Sequence, residues 1–141
     1  LEKEKVYLFS NIHQDHYETA YKIFKDNILI GAGPKMFRYE CANIKYESGK
    51  YSCTTHPHHL HLQILSETGI IGYLFLLFTM FWLIKNFLIT IYVNYYKKSH
   101  INSLDLQNCI LIGAFINLFP FLPSGNFFNN WLSIIYLFFR I

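Results

Sequence analysis

The sequence predicts an all-α integral membrane protein, the C-terminal fragment of a polytopic helical bundle that carries a partly helical loop outside the cytoplasm. Three observations predict it. Of the 141 residues 52 % are hydrophobic and only 15 % charged, more apolar than an ordinary soluble domain. The two kinds are also segregated: residues 1–68 hold eight Lys/Arg and eight Asp/Glu, whereas the apolar run IIGYLFLLFTMFWLI opens at Ile70. Between them lies TTHPHHLHLQILSETGIIG, Thr54 to Gly72, in which four of the seven histidines fall between His56 and His61. Ionisable side chains therefore stand at an expected bilayer surface.

In chain order, Tyr17, Ala20, Tyr21 and Phe24 fall at helical spacing and predict a short amphipathic helix from Asp15 to Phe24, ending before Asn27. In NILIGAGPKMFRYEC, Gly31, Gly33 and Pro34 mark a tight turn, with Arg38 four residues past the proline. A glycine turn beside an arginine suits a phosphate, because backbone N–H groups approach closely and a guanidinium grips two oxygens. By itself the pattern is weak, and an ordinary turn with a surface arginine is the plainer reading of the same residues. Residues 43–52 read as loop. At Thr55 or His56 a cap is expected, with Pro57 opening a helix that places His58, Leu62 and Leu65 on one side and His59, Gln63 and Glu67 on another.

Residues 69–96 form the first expected span, 28 residues where about 20 suffice to cross about 30 Å of hydrocarbon. Lys85 within it should face protein or snorkel. Tyr92, Tyr95 and Tyr96 form an aromatic edge followed by Lys97 and Lys98, so residues 97–105 are the expected cytoplasmic connector. Residues 106–122 return as a second span, where Asn117 and Pro120 need neighbouring helices to satisfy the backbone. Residues 123–130 then turn outside, Trp131 marks an interface, and residues 131–141 begin a last span. This topology puts residues 1–68 and 123–130 on one, non-cytoplasmic side.

The net charge of +3 resides in the membrane half, which excludes a nucleic-acid-binding face in the polar half. No signal-peptide pattern opens the chain, which reads as a piece of a longer protein. Cys41 and Cys53, twelve positions apart, form a disulfide or remain free thiols as far as spacing goes; an extracytoplasmic location favours the pair. Histidine is the side chain best suited to serve as a general base near neutral pH. His58 and His61 stand i, i+3, yet no further ligand sits at metal spacing, so no metal is expected, and surface histidines at a headgroup boundary are the plain alternative. Cys53, three residues before His56, lacks the elbow of a nucleophile.

GAGPKMFR, then THPHHLHLQILSETGIIG, then a long span and PSGNFFNNW together resemble the C-terminal half of the O-antigen ligase superfamily, which includes O-antigen polymerases and protein O-oligosaccharyltransferases. The family motif is His, an Asn, Ser or Gln, nine residues, then Gly-x-x-Gly. Here His58 is followed by His59, residues 60–68, Gly69 and Gly72, with His59 the single departure. The resemblance implies a bacterial inner-membrane glycosyltransferase whose residues 1–68 are a periplasmic loop. It implies transfer of a glycan from an undecaprenyl-pyrophosphate carrier to a glycan, lipid A core or protein acceptor, without a cofactor. Carried over, His58 is the general base, Arg38 binds pyrophosphate, and His59 contributes to substrate binding. Gly69 and Gly72 read as packing residues. A noncatalytic transporter or glycan-binding protein on the same scaffold is the competing reading.

Overall fold

The computed structural model describes residues 9–97, 102–122 and 124–129, and every regular element among them is helical. Helix α1 (Asn11–Asp26) begins at Ser10, whose hydroxyl accepts the His13 N–H at 3.5 Å, and ends at Asn27. Its buried residues are Asp15, His16, Thr19, Ala20 and Ile23, one helical face but not the aromatic one. Tyr21, expected to face inward, is 48 % exposed. The difference arises because polar partners bury this face: Asp15 accepts the Tyr51 N–H at 3.2 Å and closes on Gly49, where a Cβ has no room. A count of apolar positions is blind to such a face.

Helix α2 (Phe37–Glu40) buries Phe37 against Ala20, Ile23, Cys41 and Tyr46 to make the core of the polar half. Tyr46 lies on a 3-10 turn, Ile44–Tyr46, inside the segment expected as plain loop. Cys41 and Cys53 are joined as a disulfide with Cα atoms 4.9 Å apart.

Helix α3 (Leu60–Lys97) starts three residues later than expected, because His58 adopts φ 55°, a left-handed conformation that cannot continue a helix. The helix is then broken at Gly69 (φ 65°, ψ −164°) into a first arm, 60–68, and a second arm, 70–97. A break strands backbone groups, and the glycine turn supplies them. Ile70 and Ile71 donate to the carbonyls of Ile28 and Leu29 at 2.8 and 3.3 Å, while Ala32 and Gly33 donate to those of Ser66 and Glu67, both at 2.9 Å. Gly31 and Gly69 meet at this crossing, where a Cβ on either would run into the other segment's backbone. The turn thus clamps the break and uses its own N–H groups to do so, which leaves Arg38 rather than the turn's backbone as the anion-binding candidate.

The second arm has 28 residues, about 42 Å at 1.5 Å per residue, and the most apolar 18-residue window of Leu60–Val93 has a mean hydropathy of 2.0. Among its described side chains only Leu76, Leu83 and Thr90 are buried, a stripe at seven-residue spacing. Leu76 and Leu83 pack with Leu118 of α4 (Asn102–Leu118), while Phe75, Phe78, Phe81 and Trp82 stay exposed. An apolar surface nearly all round one helix is what hydrocarbon solvates. Of the expected connector, 97–105, residues 98–101 lie outside the described residues, as does the expected last span with Trp131, while residue 97 ends α3 and residues 102–105 open α4.

Candidate active site

His58 stands at the centre of four imidazoles. Its ring centroid is 4.1 Å from that of His56, 5.6 Å from His16 and 5.8 Å from His13. His13 and His16 come from α1, one helical turn apart, and the strained turn at His58 aims its ring at them. The Ser124 N–H holds that turn by bonding the His58 carbonyl at 3.1 Å. A non-glycine residue at positive φ costs about 1–2 kcal/mol, and the surrounding contacts keep it in place.

Burial sets the protonation of this cluster. It depresses His58, helped by the neighbouring charge of His13, and depresses His16, helped by His58 and then His13 against the pull of Asp15. His56 falls to about 4, first by burial and then by His58, with a Ser124 backbone hydrogen bond opposing. These three imidazoles are therefore neutral at pH 7, and a neutral imidazole has the lone pair a general base needs. His16 Nδ1 is buried without a hydrogen-bond partner.

Arg38 is exposed, and its charge reaches both His56 and Glu67, in each case favouring the less protonated form. Two devices fix its position relative to His58. The disulfide ties Cys41, just after α2, to Cys53, just before the histidine segment. The second device is a buried hub. Glu67, 1 % exposed, accepts the Phe37 N–H and the Gln63 side-chain amide, both at 3.1 Å, and a Lys35 backbone N–H. Gln63 in turn donates to Asn126 at 2.8 Å and accepts the Phe127 N–H at 3.0 Å. Burial pushes the Glu67 carboxyl pKa up, while those donors oppose.

Glu67 thus supports the site from behind and does not flank the histidines as a second acid–base group. His59 diverges from His58: its ring meets Tyr17 edge-on at 5.1 Å and His61 at 5.9 Å, and its Nδ1 accepts the Leu62 N–H at 3.4 Å. His61 is fixed by Tyr73 Oη at 3.2 Å and the Leu118 carbonyl at 2.9 Å, so it shares no ligand with His58. Among the described residues, no three His, Cys, Asp or Glu side chains are arranged to hold a metal ion. His13, His16 and Asn126 were not singled out in the sequence; the i, i+3 histidine pair on a predicted helix was the available signal.

This segment, from α1 through the imidazole cluster to the start of the second arm, is also the part of the chain that a known family describes. Residues 11–77 match the O-antigen ligase family. The match bears out the resemblance read from GAGPKMFR and THPHHLHLQILSETGIIG, and it takes in His13, His16, Arg38, His58 and Gly69. It stops short of PSGNFFNNW, whose Ser124 and Asn126 join the matched segment through their bonds to His58 and Gln63. No curated protein and no solved structure matches the chain significantly. Residues 11–77 are thus similar to the O-antigen ligase family, and the matched segment runs into a long helix apolar enough to cross a membrane.

Proposed function

We propose that the protein transfers a glycan from an undecaprenyl-pyrophosphate carrier to an acceptor hydroxyl at the periplasmic face of the bacterial inner membrane. The observation that carries this reading is His58, neutral by burial among three other imidazoles, one of which, His56, feels the Arg38 charge, in the family-matched segment. In the proposed step, a ring nitrogen of His58 takes the proton of the acceptor hydroxyl as its oxygen bonds to the anomeric carbon. The bond from that carbon to the pyrophosphate oxygen breaks, and its electron pair stays with the leaving group. Arg38 stabilises the charge that develops there, a role suited to a guanidinium that remains charged at every relevant pH. The second arm of α3 and α4 are the proposed spans, with residues 9–68 and 124–129 outside the cytoplasm. Lys97 then lies at the cytoplasmic end.

The test uses the full-length protein in cells lacking their own ligase and polymerase. Carrier-linked glycan should move into a larger product, and His58→Ala should abolish that product while the protein still inserts. Because His58 is left-handed, His58→Asn serves as the fold-preserving partner, asparagine tolerating that conformation better than alanine. Product on lipid A core identifies a ligase, longer carrier-linked chains a polymerase, and product on protein an oligosaccharyltransferase. Normal product from both variants contradicts the assigned role.

A further inference from the structure

The ring of His13 that packs on His58 also stacks on Tyr17, centroids 6.0 Å apart and planes 12° from parallel. Tyr17 opens into a cavity of about 510 Å³, within the range of small-ligand sites. Its walls carry Tyr17, Glu18 and Tyr21 of α1, His59 and Tyr73 of the α3 region, and Phe121 beyond α4. Phe9 closes edge-on against Tyr17 at 5.3 Å, and His59 does the same at 5.1 Å. An aromatic track therefore runs unbroken from His58 through His13 and Tyr17 into the cavity.

The lining identifies the kind of molecule that fits. A pyranose ring presents a flat face of C–H bonds and a rim of hydroxyls. Tyrosine and phenylalanine rings take the face, and phenol and carboxylate groups take the rim. A polyisoprenyl chain would satisfy the rings and the Leu62, Leu65 and Pro120 wall but would bury the Tyr17 and Tyr21 hydroxyls and Glu18 against hydrocarbon at a desolvation cost.

We propose that this cavity is a sugar-binding subsite that stacks a pyranose of the glycan beside the reacting centre. It rests on the reading of His58 as that centre, and the sugar belongs to the donor or to the acceptor.

The experiment uses full-length protein in proteoliposomes, with donor and acceptor concentrations varied separately. Tyr21→Leu and Phe121→Leu remove rings that are 48 % and 78 % exposed, so the fold does not depend on them. Each should raise the KM of one substrate about threefold to tenfold and leave kcat within about twofold, and Tyr21→Phe should restore it. The substrate whose KM rises is the one whose sugar is stacked. In parallel, the oligosaccharide released from the carrier by mild acid is tested for binding to the His58→Asn protein by saturation-transfer NMR. Binding should vanish on adding Tyr21→Leu and persist in excess undecaprenyl phosphate. Unchanged KM for both substrates, or displacement of the oligosaccharide by undecaprenyl phosphate, overturns the subsite. The binding arm needs no turnover. Transfer surviving in the His58→Asn protein would thus refute the role of His58 while leaving the subsite standing, and transfer lost there with no oligosaccharide bound would do the reverse.

Discussion

Replacing Glu67 with alanine should weaken the fold around the site while leaving every proposed reacting group in the chain. The carboxylate is 1 % exposed and receives the Phe37 N–H and the Gln63 amide, each at 3.1 Å. Without it two buried donors lose their acceptor, at about 1–3 kcal/mol each. Since some water will enter the space left behind, the lower half of the sum, about 3 kcal/mol, is the expected loss, close to a hundredfold in the folding equilibrium. Glu67→Gln keeps the volume and one acceptor oxygen, and it avoids burying a charge, so its loss should stay near about 1 kcal/mol. The pH dependence has a definite sign. Burial raises the Glu67 pKa above its unfolded value. Its contribution to stability is therefore full below the unfolded carboxyl range and is lost as pH rises through the folded value. Glu67→Gln should accordingly gain on the wild type as pH rises through that window and then hold level. The assay is unfolding of the full-length protein in detergent across pH. Glu67→Ala as stable as Glu67→Gln would refute the hub.

Three further outcomes follow from the same geometry. Burial and His13 both hold His58 below 6.5, so kcat/KM should stay level down to that pH and fall only beneath it. His13→Gln should move the fall upward, with His16 and His56 the other titrating groups facing His58; an acid limb above 6.5 in the wild type contradicts this. Cys41→Ser with Cys53→Ser opens a link between residues twelve apart, which should cost about 2–3 kcal/mol and lower transfer by loosening Arg38 from the histidine segment, read by thermal unfolding and activity together. Gly69→Ala places a Cβ against the Leu29 backbone at φ 65°, so the variant should accumulate poorly and melt early; normal yield and stability would argue against the clamp.

What the sequence made legible was what depends on composition and local chain chemistry. The long apolar helix shows because its exposed residues are as hydrophobic as its buried ones, and α1 shows by its period, although its buried side was misplaced. Gly31 and Gly33 announced a turn, but not that the turn would seal a helix break at Gly69, because that contact joins residues nearly forty positions apart. The helix start failed for a specific reason: Pro57 suits a first helical position, and a left-handed His58 overrides it through a bond from Ser124 that no local pattern encodes. His58 and Arg38 could be named from motif spacing and the turn. Their surroundings could not, since His13, His16 and Asn126 reach the site from remote parts of the chain.

The most direct measurement of the central claim is the rate of glycan transfer by the purified full-length protein, reconstituted with carrier-linked glycan and acceptor, for wild type and His58→Asn at pH 7. General-base catalysis by His58 predicts a loss of about 10²–10⁴-fold with carrier binding retained. A His58→Asn rate within about threefold of wild type would show that the proton leaves by another route.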